Sequence, residues 1–255
     1  MSKISDRLTK LGQTERSGFG FGARADHTKI PVILIAANIA KAADSNGIDA
    51  DLFILAPGSN GAAQASPVKD AEIWGVSVAG GSGKEIDAAI EAGADFVVVE
   101  GESAPGAALR DDDTAKGYLV GNDVSEDRSK AIDAGPFDFL ILDGSKLSFP
   151  LKVGSVLDIQ EQLGKYSGHI FLNMTEVPDQ ANLELLRDIG ISALIYDAKS
   201  TVSKNLKDLR VSIDQLEPKK QKSSAGAVLP RSGESNQPDA DFDDHDHEHD
   251  DDDWE

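Results

Sequence analysis

Residues 91–101 read EAGADFVVVEG: a glycine, a short step, an unbroken apolar run, then an acid. The construction recurs as SNGIDADLFILAPG at 45–58, DAGPFDFLILDG at 133–144 and DIGISALIYDA at 188–198. Each reads as the end of a helix released into a strand. A glycine just past a helix takes the left-handed conformation that other residues resist, so Gly47, Gly93, Gly135 and Gly190 mark four such ends. The apolar runs behind them are continuous rather than alternating, as expected of parallel strands buried on both faces.

Four further runs interleave with these, at 32–36, 74–79, 117–121 and 169–173. From the first run at Val32 to the last at Ala193, successive starts are 20, 22, 22, 21, 22, 30 and 24 residues apart. That is the length of one strand, one helix and two loops. Helical patterning agrees where it is visible. Ile86, Ala89 and Ile90 share one face, as do Leu183, Leu186 and Ile189, and at 156–163 Leu157 and Leu163 are expected inward with Glu161 outward. The segments after the second and fourth runs are short and rich in Gly, Ala and Pro, which predicts single turns there. Eight βα units of this period favour a compact (β/α)8 barrel over residues 29–217, built from four repeated two-strand quarters. The alternative is an open sheet of five or six parallel strands. A dinucleotide-binding unit is disfavoured, because the first strand ends Ile35-Ala36-Ala37-Asn38 with no G-x-G-x-x-G.

Flanking this body, residues 1–28 read as an N-terminal helix and a glycine-rich lead-in loop, SGFGFG at 17–22. Residues 218–255 read as a disordered tail with a basic hinge and an acidic end. The chain of 255 residues carries a formal charge of -20. Its last 38 residues hold four basic and 12 acidic side chains, so much of the acidity belongs to the tail. Segments of that composition cannot bury enough apolar surface to offset the entropy of ordering. The charge argues against binding to nucleic-acid phosphates or anionic lipid. The longest apolar stretch, 30–40, is far short of the roughly 20 residues that span a bilayer. With no cysteine, disulfides, thiolate metal sites and cysteine nucleophiles drop out. A cytoplasmic location is expected. In the tail His245, His247 and His249 alternate with carboxylates, a pattern that binds Zn²⁺, Ni²⁺ or Cu²⁺ without geometric selection. A solvating role, or docking of the acidic segment with Trp254 on a protein partner, are the other readings.

Over residues 29–216 the chain resembles the (β/α)8, or TIM-barrel, superfamily as a whole. The stretch EAGADFVVVEGESAPGAA at 91–108 is similar to one in nitronate monooxygenase-type flavin barrels, where a strand leads into a Gly and Glu motif and a catalytic His. Gly101 and Glu102 match; Ser103, Ala104, Pro105 and Gly106 follow, and the His is missing. That departure removes the residue which would abstract the proton.

In such barrels chemistry is built on the loops at the carboxyl ends of the strands. Three even-numbered strands end in a carboxylate, Glu100, Asp143 and Asp197, and Asp123 after the fifth strand is placed to join them. Converging carboxylates with Asn neighbours suit a hard divalent cation that would polarise a carbonyl or enolate. The competing reading is that each acid caps its own loop or helix. Lys146, after the sixth strand, stands where Schiff-base barrels keep a lysine, or else pairs with Asp143. The glycine-rich loop Gly80, Gly81, Ser82 and Gly83 offers a nest for an anion such as a phosphoryl group. It lacks the Walker pattern, and the loops after strands seven and eight contain no glycine, so FMN is not indicated. His27 and His169 fall at the amino side of the barrel, away from the mouth.

Two functions follow. One is an enzyme acting on a small carbonyl, carboxylate or phosphate-bearing metabolite through a carboxylate-lined mouth. The other is a non-catalytic barrel serving as an assembly or interaction module through its acidic tail.

Overall fold

The computed structural model describes residues 2–13, 30–110, 113–201 and 203–218. Eight parallel strands pair in sequential order and close on themselves: β1 (Leu34–Ile39), β2 (Leu52–Leu55), β3 (Trp74–Val78), β4 (Phe96–Val99), β5 (Ala115–Leu119), β6 (Phe139–Asp143), β7 (His169–Met174) and β8 (Ile191–Asp197). Closure is carried by β8 pairing with β1, Leu34 against Ala193 through Asn38 against Asp197. This settles the choice between barrel and open sheet. The expected tail, the 17–22 loop, His27 and the three tail histidines lie outside the described residues.

Among the described residues six α-helices accompany the strands. A short α1 (Lys3–Thr9) precedes the barrel; α2 (Gly83–Glu91), α3 (Glu126–Asp133), α4 (Val153–Leu163), α5 (Gln180–Ile189) and α6 (Ser203–Asp214) follow β3, β5, β6, β7 and β8. Among the described residues the connections after β1, β2 and β4 hold single 3-10 turns, Ala42–Ser45, Ser59–Gly61 and Gly106–Leu109. The sequence predicts the second and third of these, and the structure adds the first. Of the four marker glycines, Gly47, Gly93 and Gly190 are left-handed, with φ of +76°, +99° and +105°. Gly135 is not among the left-handed residues. It precedes Pro136, whose ring biases the preceding residue toward extended backbone.

Alternation along each strand divides the core in two. One set of buried side chains fills the barrel, including Leu34, Ile54, Phe96, Phe139, Phe171 and Ile195. The other faces the helices and loops outside. Three aromatics crowd the interior: Phe139 stacks on Phe171 at 4.4 Å between centroids and meets Phe96 edge-on at 5.7 Å. They fit because glycines lie beside them in register, Gly75 against Phe96 and Gly117 against Phe139. A methyl at either glycine would overlap the neighbouring ring.

The amino end of the barrel is closed by α1, which sends Ile4 and Leu8 into the interior set. Asp95, just before β4, accepts the Lys3 and Ile4 backbone N–H groups at 2.8 Å, one on each carboxylate oxygen. On the flank, Arg210 of α6 pairs with Asp51 at 2.9 Å, and the same Asp51 oxygen accepts Ile35 N–H at 2.7 Å. That joins α6 to β1 and to the residue before β2.

One helix face differs from expectation. Leu157 is 58 % exposed, and Ile159 is the buried residue of α4. Ile159 and Leu163, four residues apart on one face, pack against the core, which rotates Leu157 to the side.

Candidate active site

Parity determines what reaches the mouth. Continuing the inward rows of the interior set, the last inward positions are Asn38, Ser77, Glu100, Asp143, Asn173 and Asp197. Register sets four of them side by side in two pairs: Asp143 with Asn173, and Asn38 with Asp197. A cavity of about 740 Å³ opens above β4 to β7. Its polar lining includes Glu100, Glu102, Asn122, Asp123, Asp143 and Asn173.

The structure thus brings Glu100, Asp123 and Asp143 to one cavity and leaves Asp197 outside its lining. The cause is topological. In a ring of eight sequential strands, β8 lies opposite β4. Among the described residues no group of three or more His, Asp or Glu side chains is placed to hold a metal ion.

Each strand-end acid has a hydrogen-bond partner. Asp143 accepts Ser145 N–H at 2.9 Å. Hydrogen bonds from Ser145 hold its carboxyl below the usual carboxylate range, aided by the Lys146 charge and by Asn122. Asp197 accepts Lys199 N–H at 2.7 Å. Glu100 accepts the Ser77 hydroxyl at 2.5 Å. These contacts orient the carboxylates; Asp143 and Asp197 each accept a backbone N–H of their own loop, whereas Glu100 bonds a side chain of the adjacent strand. The β6 loop is tied to β7 as well, by Gly144 N–H to the Asn173 carbonyl at 2.9 Å and the Thr175 hydroxyl to the Ser145 carbonyl at 3.2 Å.

Lys146 is exposed and does not line the cavity. The desolvation a Schiff-base lysine needs is not supplied at that position. In the glycine-rich loop, Ala79 and Gly80 N–H both donate to the Gly61 carbonyl at 2.9 Å. Ser82 N–H donates to Glu85 at 2.8 Å, completing a capping box at the start of α2. The Ser82 hydroxyl bonds the same carboxylate, and together these lower its pKa. Two amides an anion would use are therefore spent, and a carboxylate already occupies the helix terminus. His169 begins β7 at the amino side, with Nδ1 3.2 Å from Ser192 Oγ. Burial depresses its pKa, partly opposed by Asp138.

Three contributors escaped sequence reasoning. Ser77 is a polar residue on an otherwise apolar strand and only 2 % exposed, a signal legible only once inward parity is known. Tyr118 walls the cavity from the outer face of β5. Arg128 pairs with Glu102 at 2.7 Å. It lies in the first turn of α3, where a cation opposes the helix dipole, and that anomaly was the available clue.

No protein-family model matches this chain, and no curated protein matches it. Solved structures do. A 3-keto-L-gulonate-6-phosphate decarboxylase from Vibrio cholerae superposes with a TM-score of 0.52 at 13 % identity, covering 73 % of this chain and 99 % of its own. A tryptophan synthase from M. tuberculosis gives 0.51 at 8 %, covering 71 % and 92 %. A tryptophan synthase complex from Pyrococcus furiosus gives 0.50 at 12 %, covering 73 % and 98 %. At such identities the likeness is one of fold, and with the closed parallel eight-stranded sheet it establishes this chain as a TIM barrel.

Proposed function

We propose that the protein is an enzyme acting on a small carbonyl-bearing metabolite in the cavity above β4 to β7. The observation that carries this reading is the convergence of inward-facing Glu100, Asp143 and Asn173 with Asn122 and Asp123 on one cavity at the carboxyl end of the barrel. Asp143, held ionised by its hydrogen bonds, serves as a fixed negative charge that orients substrate hydroxyl or ammonium groups. Glu100, oriented by Ser77, is assigned proton transfer. Asn122 and Asn173 supply amide donors for the carbonyl oxygen.

Four acids and one arginine line this cavity, and that arginine is paired with Glu102. The field therefore disfavours a bare carboxylate or phosphate. Either class would need a divalent cation held by one or two of the carboxylates together with substrate oxygens. A second reading, an interaction module working through the acidic tail, is favoured by the way Asp143 and Asp197 each bond the backbone two residues on.

A thermal-shift screen against carbonyl metabolites, sugar phosphates, FMN, Mg²⁺ and Mn²⁺ separates the two. A ligand at about 100 times its Kd stabilises by about 2.7 kcal/mol. That raises Tm by about 5–10 °C at this size. The enzyme reading expects such a ligand for the wild type and loss of the response in Asp143→Asn and Glu100→Gln. A wild type unmoved by every compound overturns it and leaves the interaction module.

A further inference from the structure

The mouth cavity has an apolar neighbour. After β4 the chain makes one 3-10 turn, Gly106–Leu109, where a regular barrel would lay a helix across the outer face of β4 and β5. The uncovered space is a cleft of about 460 Å³ between that turn and α3. Its apolar lining includes Val99, Ala104, Leu109, Ala131, Ile132 and Phe137. Leu109 sits at its rim, 38 % exposed.

The two hollows share a wall. Gly101, Glu102, Tyr118, Arg128 and Ile132 line both. The Glu102–Arg128 ion pair stands in that wall with both side chains at least half exposed, so parting it costs about 1 kcal/mol or less. Tyr118 leans on Phe137 beside it, 5.0 Å between ring centroids, presenting an apolar ring between the polar and apolar sides.

We infer that the mouth cavity and this cleft form one bipartite site for a small amphipathic molecule. Its amine head lies among the mouth carboxylates and its short aliphatic tail lies under the 3-10 turn, with the Glu102–Arg128 pair as the partition that opens to admit the tail. The occupant's chemistry follows from the two linings. The head must be a donor, because acids and amides surround it, and the tail must be apolar, because among the described residues no charged group lines the cleft beyond the partition pair. The inference rests on the mouth being a ligand site, as proposed above.

The test is a titration of the full-length protein with primary n-alkylamines from methylamine to hexylamine, and with n-alkanoates of equal length, followed by calorimetry or NMR. Each methylene buried in the cleft should tighten binding about fourfold until the cleft is filled. The alkanoates should bind at least tenfold more weakly than the matching amines. Ala131→Trp, on the exposed face of α3, should fill the cleft and flatten the chain-length series while leaving methylamine binding unchanged. Asp143→Asn should weaken every amine by a similar factor. Amine binding with no chain-length dependence, or a dependence that survives Ala131→Trp in a variant of unchanged melting temperature, overturns the bipartite site and leaves the mouth reading standing. Chain-length dependence indifferent to Asp143→Asn and equal for amines and alkanoates instead removes the mouth reading and the bipartite site with it.

Discussion

Replacing Gly117 by alanine tests how the barrel interior is packed. A methyl at position 117 would overlap the outer edge of the Phe139 ring, which is fully buried. That ring cannot swing away freely, since it stacks on Phe171 at 4.4 Å and contacts Phe96 at 5.7 Å. Overpacking of this kind costs about 1–3 kcal/mol. The backbone entropy that alanine recovers in a strand, about 0.5–1 kcal/mol, offsets only part of it. A net loss of about 1–2 kcal/mol lowers Tm by about 2–8 °C for a domain of this size. Phe139→Leu alone should also destabilise, by about 1–2 kcal/mol, through the smaller volume and the lost stack. In Gly117→Ala/Phe139→Leu, however, the added methyl enters the space the ring vacated. The pair should then be no less stable than Phe139→Leu, a coupling of about 1–2 kcal/mol in a double-mutant cycle read by urea denaturation. Gly75→Ala provides the contrast. There the methyl would meet the Phe96 carbonyl oxygen as well as its ring, so Phe96→Leu should recover little. A neutral Gly117→Ala, or strictly additive losses in its double mutant, would refute the packing account.

The remaining predictions concern titration, the barrel plug and the surface. His169 has a folded pKa below its unfolded value because of burial, so protonation favours the unfolded chain. Its contribution is complete above about pH 6.5 and is lost as pH falls through the lowered value. Urea midpoints between pH 7.5 and 5 should fall more steeply for the wild type than for His169→Gln, and parallel curves would remove the assignment. Asp95→Ala deletes both hydrogen bonds that seat α1, at an expected cost of about 1–3 kcal/mol. Hydrogen exchange should then rise in residues 3–9 before it rises in the strands, and unchanged protection would show that Ile4 and Leu8 alone hold the plug. On α4, Leu157→Glu should shift stability by less than about 0.5 kcal/mol, whereas Ile159→Ala should lose about 2–5 kcal/mol. Equal effects in thermal melts would mean the helix is rotated from the orientation described.

Much of the mouth is legible in the sequence. Glu100, Asp143 and Asp197 could be named because each ends an apolar run of a parallel strand. The period of two then carries them to the same side as Phe96, Phe139 and Ile195. Their partners could not be read in this way. Ser77 lies 23 residues before Glu100, and Arg128 lies 26 residues after Glu102; a cation in the first turn of α3 hints that Arg128 has an outside partner, but neither stretch says which residue the partner is. At Gly80 to Gly83 the structure adds the Gly61 carbonyl and the Glu85 carboxylate, which take the Gly80 and Ser82 amides and come from outside the loop's own pattern.

By itself the sequence determined the elements and their sidedness: eight buried parallel strands, the short connections after β2 and β4, and a row of polar residues at the strand ends. These follow from periodicity and turn chemistry, which act over a few residues. Only the tertiary structure decided that the sheet closes and that Asp197 stands across the ring from Glu100. It also decided that Glu100, Asp123 and Asp143 share a cavity with an apolar cleft beside it. Those facts depend on strand order and register around the whole ring, and on where a missing helix leaves the wall thin. Contacts between residues far apart in the chain set both, and no local pattern encodes them.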